Sequence, residues 1–353
     1  MSLTFTYESL PGRVIFSPDS ARTLLAAEIE RMGLNRIMLI ATDRETHLAS
    51  ELTKPFSEKI VTVFDRVLPH VPSEVADEAR AAASAHGVDG LLSVGGGSTT
   101  GTAKIVALTT GLPIVAVPTT YAGSEMTPVW GMTTAARKET GRDMRVLPKV
   151  VLYDPNLLST LPASLAVSSA LNAMAHCVEA LWTPSANPVT SLQAVEGARA
   201  LSAGIRKAAA KDDSATSDLL YGAYLAGASF AVAGSGLHHK ICHALGGAFN
   251  LPHAETHAVV LPRVLAFNAE AVPTEFAALA DAFGAEDAVE GLAGLYATAG
   301  APESLQSLGL RQDQLEEAID VVSDKLPIDN PRMVDRAAIT DILTSAFEGK
   351  DLR

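Results

Sequence analysis

Histidines are concentrated in one stretch of this 353-residue chain. Five of the nine lie between Gly236 and Pro262, and they are His238, His239, His243, His253 and His257. His239 and His243 are four residues apart, so they would share one face of a helix. Pro252 places His253 in a turn behind that helix. Because the surrounding residues are apolar, the sequence indicates that these imidazoles line a pocket.

A second polar pair, Asn172 and His176, lies upstream with the same four-residue spacing. Two helices that each offer such a pair, with a third histidine from a turn, can form a pocket for a divalent metal ion. Asn172, however, supplies a neutral amide where a metal site would use a carboxylate. The plainer alternative is a set of polar groups satisfied between packed helices. We assign His238 and His257 to the surface or to a layer behind the site.

A glycine-rich segment, Gly95-Gly96-Gly97-Ser98, lies between a predicted strand and a predicted helix. Glycines allow the backbone to approach a ligand closely, and free N–H groups at a helix start attract phosphate. The segment is neither a GxGxxG fingerprint nor a Walker A loop. The sequence therefore predicts phosphate binding, with a bare tight turn as the alternative.

Two further loops follow predicted strands of the same sheet. The segment from Thr119 to Glu125 is rich in hydroxyl groups that suit ribose and diphosphate contacts, and its candidates are Thr119, Thr120 and Ser124. Asp43 follows an early strand, where an acidic residue often accepts hydrogen bonds from ribose hydroxyls and repels a 2′-phosphate. Asp43 therefore favours NAD over NADP, although the neighbouring Arg44 weakens that preference.

The order of predicted elements indicates an α/β fold followed by an all-α domain. Apolar runs such as GLLSV and PIVAVP alternate with helical segments, which is typical of a parallel, Rossmann-like sheet. From Ala163 onwards, alanine-rich helical periodicity dominates. We predict a dinucleotide-binding α/β domain over residues 1–158 and an all-helical substrate and catalytic domain over residues 159–353. We also expect a hairpin or edge strands over residues 3–16 and a helix N-cap at Ser73.

Composition excludes several classes of protein. The net charge of -13 argues against a nucleic-acid-binding protein. Cys177 and Cys242 are too few for a disulfide framework, and two buried thiols are expected. The N-terminus has no signal-peptide pattern, and no apolar run reaches the roughly 20 residues that span a bilayer. We expect a soluble, cytoplasmic protein without membrane or nucleic-acid partners.

Taken together, these residues resemble the iron-containing alcohol dehydrogenase family, which shares its fold with dehydroquinate synthase and glycerol dehydrogenase. The resemblance covers essentially the whole chain and includes PGRVIF, GGGS, PTTYAGSE, PKVVLYDP and the HxxxH segment followed by Pro-His. It implies that the N-terminal domain binds a nicotinamide dinucleotide and that the helical domain carries metal and substrate. The family's metal-ligand positions are Asn172, His176, His239 and His253 here, and the resemblance places Lys138, in a predicted loop, near the cofactor ribose.

Two departures from the family narrow the assignment. Asn172 replaces the ligand aspartate, and Gly101 replaces the aspartate of the family's GGGSxxDxAK motif. The segment of residues 137–149 resembles one branch, the maleylacetate reductases, which reduce maleylacetate to 3-oxoadipate in the degradation of aromatic compounds. A missing carboxylate lowers the affinity of a site for hard divalent cations. We therefore expect no tightly bound metal, and NADH as the cofactor with NADPH as the alternative.

The resemblance implies a small unsaturated keto dicarboxylate as substrate. Hydride from NADH would add to one alkene carbon, and a histidine would protonate the adjacent carbon or the enolate oxygen. We assign His243 as the acid, with His176, His239 and His253 binding and polarising the substrate. Further substrate-binding candidates are Asn172, Lys240 and Arg145.

Two alternatives stay open at this point. One is a metal-dependent alcohol dehydrogenase of the same fold, using iron or zinc despite Asn172. The other is a cofactor-binding protein that lost catalysis together with its metal ligand. Whichever function is correct, the predicted N-terminal edge strands suggest that two chains form a homodimer by edge pairing.

Overall fold

The computed structural model describes residues 4–134, 137–159 and 161–349, and it leaves the side chains of Arg137 and Lys138 undescribed. The chain forms two compact units. The α/β unit runs from Leu10 to Leu161. The helical unit starts at Pro162 and also includes the N-terminal segment that ends at Ser9.

Eight strands occur in the described part of the α/β unit. They are β1 (Arg13–Phe16), β2 (Ile37–Ile40), β3 (Ile60–Phe64), β4 (Gly90–Gly95), β5 (Ile114–Pro118), β6 (Val129–Thr134), β7 (Arg137–Arg142) and β8 (Val150–Tyr153). Six of them form a sheet in the order β1-β8-β5-β4-β2-β3, and every pairing in it is parallel. The strands β2, β4, β5 and β8 are buried along their whole length, which explains their continuous apolar sequences.

Helices connect these strands. They are α1 (Ser20–Thr23), α2 (Leu25–Arg31), α3 (Thr46–Thr53), α4 (Ser73–Ala85) and α5 (Gly97–Thr110). The chain runs from β2 outward to β3 and then returns to the other side of β2 to form β4. The crevice outside the carboxyl ends of β2 and β4 is therefore a topological switch point, where open α/β sheets bind their ligands.

Several local predictions were wrong. Residues 4–12 form no strand, so the hairpin alternative was wrong, whereas the edge-strand alternative is confirmed for β1, which pairs with β8. Ser73 is the first residue of α4, and Pro72 occupies the N-cap position, because the fixed backbone of proline already provides the extended entry into the helix. The predicted loop that contains Lys138 is instead the strand β7, which pairs antiparallel with β6.

Nine helices occur in the described part of the helical unit. They are α6 (Ala163–Glu179), α7 (Pro188–Ala209), α8 (Ala215–Ala233), α9 (Leu237–Phe249), α10 (His253–Asn268), α11 (Pro273–Phe283), α12 (Ala288–Ala299), α13 (Leu315–Ser323) and α14 (Arg336–Glu348). The free thiols of Cys177 and Cys242 are both buried in this unit, as expected from their type.

The apolar spacing of α9 decides which way its histidines face. Leu237, Ile241 and Leu245 recur every four residues and are buried in one core cluster with side chains of α10, α13 and α14. His239 and His243 are offset from this apolar row by two residues, so they lie on a different face of the same helix. Helix α9 therefore has one apolar face, which packs in the core, and one face that carries the histidines.

Within the described residues, no single helix is long and apolar enough to cross a membrane. The bent pair α8 and α9, which meet at an angle of 99°, satisfies the length and composition criteria only when its two helices are taken together.

Candidate active site

Helix α6 presents three polar side chains on one face. Asn172, His176 and Glu179 follow the spacing i, i+4 and i+7, and all three are buried. Asn172 Oδ1 and His176 Nδ1 have no hydrogen-bond partner among the described residues. Buried polar atoms of this kind are costly unless a ligand or water satisfies them, so this face is a candidate binding surface.

The N-terminus of α9 meets that face at Glu179. One carboxylate oxygen, Oε1, accepts the backbone N–H of His238 at 2.7 Å. The other, Oε2, lies 2.5 Å from Nδ1 of His239. Burial raises the pKa of Glu179, and the neighbouring His238 side chain and the backbone N–H groups of Gly236, His238 and His239 act against that rise. We assign the carboxylate form, because a carboxyl proton would face these N–H donors.

Six imidazoles and one phenyl ring form a continuous cluster, with His239 and His257 at its centre. His257 lies 4.4 Å from His253 and 4.7 Å from His239, measured between ring centroids. His239 in turn stacks on His176 at 5.0 Å. Phe230 of α8 covers both of these rings, at 4.6 Å and 4.5 Å.

His238 and His257 are both buried, so the surface alternative was wrong and the alternative that places them in a layer behind the site remains. Nε2 of His238 lies 3.0 Å from the carbonyl oxygen of His257. Because a carbonyl oxygen only accepts, His238 carries its proton on Nε2. His253 is the first residue of α10 rather than a turn residue, and the four-residue spacing brings it onto the same helix face as His257.

Burial sets the charge of the inner histidines. It lowers the pKa of His176 and of His257 well below the usual range, and neighbouring histidines lower both further. It also lowers the pKa of His238 to about 4, with His239 as the second cause. These three imidazoles are therefore neutral near pH 7 and act as hydrogen-bonding groups rather than as positive charges.

His243 and His253 lie at the rim of the cluster. His243 is half-buried and His253 is exposed within this chain, and their rings stack at 6.0 Å. Lys240, half-buried on α9, directly follows His239. Arg145 lies in the α/β unit, is exposed, and forms an ion pair with Asp143 at 2.7 Å. A substrate carboxylate would have to compete with that aspartate for Arg145.

The donor set departs from the family's metal site at one position. Asn172 offers an amide oxygen, and the carboxylate closest along α6, Glu179, already accepts N–H groups with both oxygens. His238, His239 and His257 each offer a nitrogen within 4.8 Å of the others. One nitrogen of His238 is occupied by a carbonyl oxygen and one of His239 by Glu179. The remaining donors are imidazoles, which can bind zinc or iron, but the set lacks the negative charge that the family's carboxylate adds.

The glycine-rich loop lies at the carboxyl end of β4 and leads directly into α5, whose N-cap is Gly96. The carbonyl of Gly95 accepts the N–H of Thr119 at 3.1 Å, which ties this loop to the end of β5. A Cβ on Gly96 would lie 2.9 Å from Cγ2 of Thr120. Close packing of the two loops therefore requires glycine at position 96. Gly97 and Ser98 form the first turn of α5, where free N–H groups suit a phosphate.

The acidic side chain that reaches this region most closely is Glu45 rather than Asp43. Asp43 is exposed, whereas Glu45 is half-buried and accepts the Thr119 hydroxyl at 3.5 Å. Burial raises the pKa of Glu45. The side chain of Lys138 lies outside the described part of the structure, so its predicted position near the ribose is not described.

The buried side chain of Lys104 donates a hydrogen bond to the backbone of Ser124. Nζ of Lys104 lies 2.6 Å from the carbonyl oxygen of Ser124, 3.0 Å from the hydroxyl of Thr127 and 2.8 Å from the carbonyl oxygen of Val129. Burial lowers the pKa of Lys104 to about 7, and Glu125 acts in the opposite direction. Lys104 therefore fixes the loop that carries the predicted cofactor contacts.

Gly101, the second departure from the family motif, has a packing reason. A Cβ at this position would lie 3.1 Å from Cγ2 of Val71. A side chain at this position would require Val71 to shift by a few tenths of an ångström, so the local packing favours glycine.

Sequence reasoning missed Glu179, Phe230, Glu45 and Lys104. Glu179 could have been found from the sequence, because it lies three residues after His176 and therefore on the same helix face as Asn172 and His176. Lys104 was visible only as the end of the family motif, since nothing in the sequence indicates its burial. Phe230 was indistinguishable from any other apolar residue of an apolar helix.

The chain matches two family profiles that together cover most of its length. One is described as iron-containing alcohol dehydrogenase and matches residues 11–155. The other is described as the C-terminal part of the Fe-containing alcohol dehydrogenase family and matches residues 166–347.

Individual relatives are similar over the whole chain. The maleylacetate reductase of Burkholderia cepacia is 45% identical over 98% of this chain and 98% of its own. The maleylacetate reductase of Agrobacterium tumefaciens has a similar structure, with a TM-score of 0.93 and 41% identity over 99% of each chain. An iron-containing alcohol dehydrogenase of Corynebacterium glutamicum has a TM-score of 0.95 and 48% identity, over 100% of this chain and 99% of its own.

Proposed function

This chain belongs to the iron-containing alcohol dehydrogenase family, and we propose that it reduces maleylacetate to 3-oxoadipate with NADH, without a metal ion. Its similarity to proteins named maleylacetate reductase extends over nearly the full length of each chain. The observation that carries the proposal is Asn172, a buried amide at the family's carboxylate position, on a face whose histidines are neutral.

The proposed reaction transfers a hydride and a proton. Hydride leaves NADH and adds to one carbon of the alkene, which is activated by conjugation to the ketone and the carboxylate. The electron pair of the double bond moves into an enolate, and a proton then adds to the adjacent carbon, leaving NAD⁺ and 3-oxoadipate. Preorganised hydrogen-bond donors stabilise the negative charge of the enolate as it develops.

Among the histidines, His243 suits the role of proton donor best. A general acid must regain its proton from solvent after each turnover, and His243 is half-buried, whereas His176 is buried and neutral. The buried His176 and His239, with His253 at the rim, bind and polarise the substrate. Asn172 contributes its unpartnered amide oxygen to this surface.

The substrate carries two carboxylates, and the chain has a net charge of -13. Local positive charge must therefore offset an unfavourable overall field. Lys240 on α9 is the cation that directly follows His239 in the sequence. Arg145 is a weaker candidate than its sequence position suggested, because Asp143 already accepts hydrogen bonds from its guanidinium group.

For the cofactor we propose NADH, with NADPH as the alternative. The free N–H groups at the start of α5 suit the diphosphate, and Thr119, Thr120 and Ser124 supply hydroxyls on the neighbouring loop. Two acidic residues, Asp43 and Glu45, follow the carboxyl end of β2. Negative charge at this end of the sheet disfavours the 2′-phosphate of NADPH.

The deciding experiment measures NADH oxidation with maleylacetate in protein that has been treated with a chelator and analysed for metal content. We expect full turnover at less than one-tenth of a metal ion per chain. Activity that returns only on addition of zinc or iron would favour the second candidate, a metal-dependent alcohol dehydrogenase, which the Corynebacterium glutamicum relative supports. Cofactor binding without turnover of maleylacetate or any alcohol would indicate a protein that has lost catalysis.

A further inference from the structure

We propose that Glu179 is the positioning residue of this site, holding the N-terminus of α9 and the ring of His239 with a single carboxylate. The inference deepens the proposed function and rests on it for its kinetic consequences. It assigns no contact between Glu179 and the substrate.

Helix α9 has no cap of its own. Its N-cap residue is Gly236, which has no side chain to accept the free N–H groups of the first turn. Glu179, the last residue of α6 and fully buried, takes that place from another helix. Its carboxylate accepts the N–H of His238 at 2.7 Å, and its negative charge lies at the positive end of the α9 dipole.

Glycine at position 236 allows this approach. A Cβ there would lie 3.0 Å from Oε1 of Glu179. A serine or an aspartate, the usual N-cap residues, would compete with Glu179 for the same space and the same N–H groups. The sequence of α9 thus lacks a local cap at the point where a carboxylate from α6 supplies one.

The same carboxylate fixes His239. Its Oε2 lies 2.5 Å from Nδ1, so we assign the Nδ1–H tautomer to this imidazole. Nε2 then carries the lone pair, on a ring that stacks against His176 and contacts His257. Glu179 therefore sets the orientation of His239 and determines which of its nitrogens can accept a hydrogen bond.

An amide does not replace this carboxylate. Oε1 faces a backbone N–H and Oε2 faces the ring N–H, so both positions need an acceptor. In a Glu179→Gln variant, one of the two positions would hold an NH₂ group against an N–H donor. That group would either repel the first turn of α9 or force His239 into the Nε2–H tautomer, with Nδ1 as acceptor.

The kinetic test compares Glu179→Gln with Asp287→Ala. Asp287 is the N-cap of α12 and accepts the N–H groups of Val289 and Glu290. Asp287→Ala therefore removes a helix cap but leaves the histidine cluster unchanged. We expect both variants to lower Tm by a few degrees. Only Glu179→Gln should lower kcat, by about 10- to 100-fold, as for other partners that orient a functional histidine. The KM for NADH should stay within twofold of wild type.

A wild-type kcat in folded Glu179→Gln, with only Tm lowered, would reduce Glu179 to a helix cap and overturn the proposal. If Glu179→Gln does not fold, the tautomer of His239 in the unchanged protein decides. Long-range ¹H–¹⁵N spectra of histidine-labelled protein, with His239→Asn used to identify the signal, should show a proton on Nδ1. A proton on Nε2 alone would overturn the proposal. Absence of maleylacetate turnover in the wild type would refute the proposed function and leave this tautomer measurement intact.

Discussion

At the scale of single residues, burial divides the histidine cluster into two groups. His176, His238 and His257 are at least nine-tenths buried, and burial keeps them neutral near pH 7. His243 and His253 lie at the rim, where water can supply and remove protons. The inner group is therefore suited to hydrogen bonding and orientation, and the rim is suited to proton transfer.

This division predicts the effect of His243→Ala. Loss of the proton donor should lower kcat for maleylacetate by about 10²- to 10⁴-fold, the usual contribution of a general acid. NADH affinity, measured by fluorescence titration, should change by less than threefold, because the predicted diphosphate and ribose contacts remain in place. His86→Ala is the control, since His86 is exposed at the end of α4. Full activity of His243→Ala would assign the proton to another group.

Asn172→Asp tests the charge argument about the metal. The substitution restores the carboxylate of the family's ligand set and adds a negative charge beside His176 on α6. We expect the variant to retain zinc or iron through purification, at more than half an ion per chain by mass spectrometry, whereas wild type retains less than one-tenth. The rate of maleylacetate reduction should fall at the same time, because the added charge repels a dicarboxylate. Equal metal content in both proteins would contradict the argument.

At the scale of elements, the cofactor site depends on two loops that pack directly on each other. In Gly96→Ala, the new methyl group would lie 2.9 Å from Cγ2 of Thr120 and would push the β4–α5 loop from the β5 loop. We expect KM for NADH to rise at least tenfold while kcat changes less than threefold. Gly294→Ala is a matched control, because a Cβ on Gly294 in α12 meets nothing within 4 Å. Equal NADH affinity in wild type and Gly96→Ala would show that the loops can separate without loss of binding.

The same pair of elements rests on Lys104, which predicts a pH dependence of stability. Burial lowers its pKa to about 7 from an ordinary value of 10.5. Between these pH values the unfolded chain binds more protons than the folded chain, so the contribution of Lys104 to the free energy of unfolding increases with pH. In urea unfolding, wild type should therefore gain roughly 2 kcal/mol of unfolding free energy relative to Lys104→Met between pH 7 and pH 9.

Two features keep this measurement interpretable. Glu125, whose pKa the charge of Lys104 lowers, is replaced by Gln in both proteins of a second pair, so that its titration does not contribute to the difference. Lys59→Met removes a half-buried ammonium that bonds one carbonyl oxygen, that of Leu34, and it controls for the loss of a lysine as such. A difference for Lys104→Met that stays constant with pH would mean that Lys104 remains charged throughout, held by its two carbonyl acceptors.

Elements whose signal is local were predictable from the sequence. The buried strands β4 and β5 and the glycine loop between β4 and α5 follow from apolar runs and glycine spacing. The hairpin of β6 and β7 was missed because its second strand reads Arg-Lys-Glu-Thr-Gly-Arg, which has no apolar alternation. The role of Glu179 was missed because its partner His238 lies 59 residues further along the chain. Contacts at that separation depend on helix packing, which a pattern of nearby residues does not contain.

At the scale of the whole molecule, the edges of the parallel sheet determine how two chains could associate. In the described residues, β1 and β3 are the edge strands. The N–H of Arg13 donates to the carbonyl oxygen of Lys149, just before β8, at 3.0 Å, and that of Ser17 donates to the carbonyl oxygen of Tyr153 in β8 at 3.1 Å. Because N–H groups alternate along a strand, that of Val14 faces away from the sheet. The edge of a sheet is a template for pairing with a second chain.

The last prediction concerns that edge. We propose that the protein is a homodimer in which the β1 strands of two chains pair, and that Val14→Pro weakens it. Proline removes one outward N–H per chain and leaves the hydrogen bonds that Arg13 and Ser17 donate in place. With about 1 kcal/mol lost in each chain, the dissociation constant measured by analytical ultracentrifugation should rise about 10- to 30-fold. Val14→Thr keeps both the N–H and a β-branched side chain, so it should remain as dimeric as wild type. A monomeric wild type, or a Val14→Pro variant with an unchanged dissociation constant, would rule out pairing through β1.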